Sequence, residues 1–317
     1  MTIIGSVFDS NRAPGLFVPG SALANSGELT IVRSTFSNNV GDGAALATTN
    51  GVVRINRSRF SKNFAGHIVG GLYILGGVVL MTETTFDGNG ADGAGAVYVA
   101  SDSATLIVND SAFVENIAQG SGSGAAIANL GTVQVTNTTF ARNIASTFFP
   151  PSGIAIANFG TLSLTNSTLD ENTVGLDVRF AAVIFGATDA KTFLQNTILT
   201  HNPSETSVQD CAGPITSLGN NLIGDTSGCN IVLQPTDLTG DAGLSAFTDN
   251  GTPGNGHFPL LPTSHAIDAA NKKVCPKKDQ IGQLRKPHCD IGSIEFNPFT
   301  HHDLTPAVEE DLVQVVQ

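Results

Sequence analysis

Residues 131–143 read GTVQVTNTTFARN, and their reading decides the fold. Val133 and Val135 alternate with Gln134 and Thr136, so one side of a short strand is apolar and the other polar. Phe140 follows as a second apolar anchor, and Asn143 stands three positions after it. The same phrase recurs as STFSNN, SRFSKN, TTFDGN, SAFVEN, TTFARN and STLDEN, with anchors at Phe36, Phe60, Phe86, Phe113, Phe140 and Leu169. Phe8 precedes the series and Leu199 extends it, at successive spacings of 28, 24, 26, 27, 27, 29 and 30 residues. Every anchor is followed by Asn: Asn11, Asn39, Asn63, Asn89, Asn116, Asn143, Asn172 and Asn202.

A second motif, a small-residue run ending in an aliphatic, precedes most anchors: GSALAN, GAALAT, GGLYIL, GAVYVA, GAAIAN and GIAIAN. Aligning the repeats gives two apolar columns, Leu29, Val53, Val79, Leu106, Val133, Leu162 and Ile31, Ile55, Met81, Val108, Val135, Leu164. A repeat of this length with only short strands and Gly or Asn turns cannot bury its own apolar side, so the repeats must stack. The expected fold is all-β, a right-handed parallel β-helix, with the Asn residues forming an inward ladder of stacked amides.

Composition agrees. Hydrophobic residues make up 41% of the 317, enough for a core, but aromatics are only 6% and Trp is absent, so that core is narrow and aliphatic with stacked Phe. A net charge of −12 opposes nucleic acid and anionic membranes as partners, since phosphate contacts need clustered Lys and Arg. The four cysteines, Cys211 with Cys229 and Cys275 with Cys289, lack zinc-site spacing; two short-loop disulfides, and with them an oxidising compartment, are expected in preference to four buried thiols. No transmembrane segment and no signal peptide is visible. Residues 3–11 already read as the second half of a repeat, so a leader and earlier coils are expected to precede this chain.

The pairing of a GGA-aliphatic motif with Phe-x-x-Asn resembles the repeats of chlamydial polymorphic membrane proteins and other bacterial β-helix surface proteins, over residues 1 to about 202. Beyond that point, Ser217 to Gly224, Asp249 to Gly251, Ala266 to Ala269, Asp279 to Gly282 and Asp290 to Phe296 are similar to the C-terminal signatures of choice-of-anchor Q domain proteins. The resemblance implies a secreted or cell-surface, adhesin-like protein, and supports the disulfides. Three regions are expected: repeats over 1–202, final coils and a disulfide-stapled cap over the open end at 203–296, and an acidic tail at 297–317 in which no anchor is visible.

Candidate chemistry is sparse. Three positions before each anchor stand Arg33, Arg57, Glu83, Asp110, Asn137, Asn166 and Asn196. Arg33, Arg57, Glu83 and Asp110 are the best catalytic candidates, because carboxylates beside cations on adjacent coils suit polysaccharide cleavage; a surface ion-pair ladder is the plainer expectation. Asp9, Asp87 and Asp170 share a column but sit too many coils apart to converge. Asp225, Asp237, Asp241 and Asp249 are candidate ligands for calcium, the one cofactor suggested, although Asp in turns explains them without metal. Within the cap, His257, His265 and His288 are close enough in sequence to suggest a cluster, although surface or loop histidines are the plainer expectation. The longer stretches 118–124 and 145–153 are the only loops that could overhang a groove. A non-enzymatic display or adhesin module binding a glycan or a surface protein is therefore expected, with a polysaccharide lyase or hydrolase as the alternative.

Overall fold

The computed structural model describes residues 1–13, 20–120, 124–146, 152–175, 181–202 and 208–298. Half of the two candidate overhanging loops (121–123 and 147–151) and nearly all of the tail (299–317) lie outside the described residues.

Each coil contributes short strands to stacked parallel sheets. In the coil beginning at Leu29–Val32, the strands are Leu29–Val32, Thr35–Ser37, Val40–Gly41 and Ala44–Thr48. The strands carrying the anchors form a ten-stranded sheet, from Val7–Asp9 to Leu238–Thr239. The two-residue strands that follow the Asn ladder, from Arg12–Ala13 to Thr173–Val174, form a seven-stranded sheet. The alternating strands and the small-residue strands join through one long strand, Val208–Ser217, whose first half extends the small-residue stack and whose second half extends the alternating stack.

The predicted columns are the observed register. Leu29 pairs with Val53, Val53 with Val79, Val79 with Leu106, Leu106 with Val133 and Val133 with Leu162; the Ile31 column pairs in the same order. After Leu162 the column continues with a buried Thr192. The anchors stack ring on ring from Phe8 to Phe140, with centroids 4.6 Å apart at the first step and 5.3 Å at Phe86–Phe113, close to the spacing between strands. Phe36, Phe60, Phe86, Phe113 and Phe140 are fully buried.

The Asn ladder is inward and fully bonded. The Asn63 side-chain amide donates to the Phe36 carbonyl and to the Asn89 Oδ1, and the Asn63 Oδ1 accepts from the backbone and side chain of Asn39. The pattern repeats through Asn116, Asn143 and Asn172 to Asn202. Beyond Asn202 the acceptor is no longer an amide: Asp210 Oδ1 ends the ladder at 2.9 Å. A second ladder was not anticipated. Ser34, Ser58 and Ser111, two positions before their anchors, accept the backbone N–H of Ser6, Ser34 and Thr84 in the previous coil. Both ladders satisfy backbone groups that bending the strand at each corner takes out of the sheet.

Two left-handed columns make those corners. The position before the hydroxyl ladder, from Arg33 to Asn196, has φ between 46° and 50° in every coil. The position before the Asn ladder is left-handed too, with φ between 43° and 56° in Ser10, Asn38, Lys62, Glu115, Arg142, Glu171 and His201. Asn tolerates this conformation well, while Arg and Glu occupy it under constraint from the coils above and below.

Both disulfides form. Cys211–Cys229 ties the long strand to the next coil, and Cys275–Cys289 closes a loop in the C-terminal segment. Parallel pairing continues to Thr239, past the expected boundary at 202. In the last coil, Cys229 and Ile231 face the core and are partly buried, while Val232 faces outward and is exposed. Residues 241–297 lie along the outside of the anchor sheet, reaching the coils of Arg59 and Thr85 by Gly251 and Gly254 and then returning to the later coils. The Asn220 amide donates to the Ala269 carbonyl, Gly292 N–H donates to the Asn196 carbonyl, the Asn137 amide to the Lys278 carbonyl, Gly254 N–H to Thr85, and Arg59 to the Gly251 carbonyl. The reason lies on the outer face of the anchor sheet, where Ala112, Ile198 and Leu222 would otherwise be exposed; Ile198 and Leu222 pack against Leu260, Ala266 and Ile291, and Ala112 against Phe258.

Candidate functional site

The returning segment and the first left-handed column enclose a cleft of ≈ 300 Å³. On the solenoid side it is lined by Arg57, Glu83 and Asp110, from three successive coils, and on the other by Gly254, Lys278 and Asp279. Gly254 is required there: its φ is +83°, and a Cβ would lie 2.5 Å from the Asp110 carbonyl oxygen. Three of the four catalytic candidates are thus brought together, and Arg33 stands exposed one coil outside.

Arg57, Glu83, Asp110 and Asp279 each already have a hydrogen-bonded neighbour. Arg57 Nε donates to Glu83 at 2.5 Å and Nη2 at 3.3 Å, both groups largely in water. Asp110 accepts the Asn137 amide at 3.0 Å. Burial pushes the Asp110 carboxyl above its usual range, the Asn137 bond opposes this, and the nearby negative charges of Glu83 and Asp279 add to it. Asp279 takes N–H bonds from Ile281, Gln283 and Glu295, yet burial still raises it. Sequence reasoning missed Lys278 and Asp279 because they reach the column across more than 140 positions of chain.

The switch within the column from charge to amide marks where the segment docks. Asn137, Asn166 and Asn196 are buried. Asn137 Oδ1 accepts from Arg285, the Asn166 amide donates to the Asp290 carbonyl, and Asn196 Oδ1 accepts the Asn271 N–H. The amides of Asn166 and Asn196 also lie 3.7 and 3.6 Å from Cys275 Sγ, so the second disulfide sits on this column. Arg285 pairs with Glu295 at 3.4 Å, both almost completely buried.

The calcium candidates lie in separate turns. Asp225 caps the Ser227 N–H, Asp237 binds Ser217, Asn221 and Gln234, Asp241 caps Gly243, and Asp249 caps Gly251 and lies 3.7 Å from Arg59. Among the described residues, no group of three or more His, Cys, Asp or Glu is arranged to hold a metal ion. His265 and His288 are exposed and His257 is buried, so the histidine cluster does not assemble. Asp9, Asp87 and Asp170 meet different partners: Ser37 and Asn38, Arg59, and His201, respectively. His201 lies 3.6 Å from Asp170 and 2.9 Å from Asp241, a bridge between solenoid and returning segment that no sequence motif signalled.

Residues 22–240 match the family described as Right handed beta helix region. The chain belongs to this right-handed β-helix family. The match stops where parallel pairing stops, so the β-helix accounts for one wall of the cleft and the returning segment supplies the other. A search of curated proteins found no match. Among the described residues of this β-helix, no helix is long and apolar enough to cross a membrane.

Proposed function

We propose that this β-helix is an extracytoplasmic surface-display module that binds a glycan or a surface protein without chemical turnover, using the cleft between the solenoid and its returning segment. The observation that carries the reading is the engagement of the cleft's carboxylates: Glu83 is held by Arg57 and Asp110 by Asn137, which suits a surface that holds a ligand by hydrogen bonds. Two disulfides support an oxidising location, and the resemblance to bacterial surface repeats supports display.

A second reading, a polysaccharide lyase or hydrolase, draws on one observation: the raised carboxyl of Asp110 in a cleft that also holds Glu83 and Asp279. Incubating the protein with acidic and neutral polysaccharides, first with calcium and then with chelator, separates the two. New reducing ends or unsaturated-uronate absorbance that disappear in Glu83→Ala and Asp110→Ala would replace the binding reading with the enzymatic one. Retention of a polysaccharide or partner without cleavage, weakened by the same substitutions, is the outcome expected.

A further inference from the structure

A second cavity, of ≈ 450 Å³, lies wholly within the returning segment, beyond the Asn255 and Ile281 wall that it shares with the cleft. We propose that it is a binding site for a small neutral polyhydroxylated molecule, of the size of a single sugar residue. The proposal is independent of what the cleft binds.

Its volume falls in the range of about 300–1,000 Å³ usual for small-molecule sites. One wall is a short antiparallel hairpin, fixed by bridges between Leu244 and Leu260 and between Thr248 and His257, with reciprocal N–H to carbonyl bonds of 2.9 Å at the second. Besides Asn250 and Asn255, whose Oδ1 atoms accept the Thr252 and Asn250 N–H groups, this hairpin holds three polar groups at the cavity. The Ser245 and Thr248 hydroxyls neither donate to nor accept from another described residue. The third is the His257 imidazole, whose Nδ1 lies 2.6 Å from the Asn255 carbonyl oxygen. A carbonyl only accepts, so Nδ1 carries the proton and Nε2 remains an acceptor. Burial holds this imidazole below its ordinary value, which keeps it neutral near pH 7.

The cavity offers no unspent charge. Glu295 lines it, but its carboxylate takes the Lys286 and Asp290 N–H groups and pairs with Arg285. Leu260, on the same hairpin, and Ile294, both buried, give an apolar lining. Hydroxyl donors, a neutral acceptor and an apolar wall complement a molecule carrying several hydroxyls on a C–H framework, and leave an ion without a counter-charge.

Ligand-observed saturation-transfer NMR on the full chain tests this, with methyl glucoside, methyl galactoside and N-acetylglucosamine as neutral probes and galacturonate as the charged one. At least one neutral probe is expected to saturate in the millimolar range and to shift the His257 ring protons. His257→Gln should weaken it about tenfold and Ser245→Ala a few-fold, with thermal melting confirming that each variant folds. No saturation by any neutral probe, tighter binding of galacturonate, or binding indifferent to both substitutions would overturn the proposal.

Discussion

The coils around Phe36 and Phe60 and those around Phe113 and Phe140 have the same interior and different exteriors. Inside, the rings stack and the Asn amides bond in both regions alike. Outside, the residue before the anchor is Thr35 and Arg59 in the early coils, partly in water, but Ala112, Thr139 and Thr168 in the later ones, all buried. The corner column changes with it, from Arg33 and Arg57 to Asn137 and Asn166. The fold is therefore written on the inward positions, and the outward positions record what lies on top of them. The cleft stands at the border, where charge from the open coils meets the edge of the cover.

The sharpest way to break this comparison is to attack the shared interior in both regions. Phe36→Ala and Phe113→Ala should each cost about 3–5 kcal/mol in chemical denaturation, because each opens a ring-sized cavity in a stack. A gap of more than about 2 kcal/mol between them would mean that the cover also supports the interior, and the division drawn above would fail.

Replacing both Cys275 and Cys289 by Ala should affect only the covered half. Removing a bridge across 14 residues costs roughly 3 kcal/mol. Amide exchange should quicken in 243–297 and at Thr139 and Thr168, while the Leu29–Ser37 coil keeps its protection.

Acidity separates the halves through one column. Hydroxyl and amide bonds from Ser37, Asn38 and Ser10 hold Asp9 below its ordinary value in the open half, whereas burial raises Asp170 to about 6 in the covered half. Burial likewise raises Asp210, at the end of the Asn ladder, to about 6. Unfolded, these carboxyls would ionise near 3.8, so between the two values the folded chain holds protons that the unfolded chain has released. Their contribution to stability is complete below about pH 4 and is lost as pH rises through about 6. Melting temperature should fall across that window, less steeply in Asp170→Asn and Asp210→Asn.

The smallest effect compares equivalent threonines. The Thr139 hydroxyl donates to Gln280 at 2.6 Å and meets Ser293 at 2.9 Å. Thr139→Val leaves those buried partners short and should cost about 1–3 kcal/mol. Thr35→Val, on the uncovered face, should be nearly neutral by the same measurement.

The interior was legible in the sequence because its period is strict: the anchors, both aliphatic columns and the Asn ladder fall at the predicted residues. The corner column was legible as a column but not as a left-handed turn, since Arg and Glu there disguise a conformation that Asn would have advertised. The path of residues 241–297 was not legible, because no repeat governs it and its partners lie far away in the chain. One clue was present. Outward positions that turn small and uncharged, such as Ala112 and Thr168, announce a covered face in an otherwise wet rod.

A plain stack of coils has no preferred number of members, since each touches only its neighbours. The returning segment changes that, because it spans many coils at once: Gly251 and Gly254 bond to Arg59 and Thr85, and Ala269, Asn271, Lys278 and Asp290 bond to Asn220, Asn196, Asn137 and Asn166. Removing a coil from the middle would slide half of those partners by about 4.8 Å relative to the rest. The segment is in effect a gauge laid against the rod, and it ties evolution of coil number to evolution of its own length.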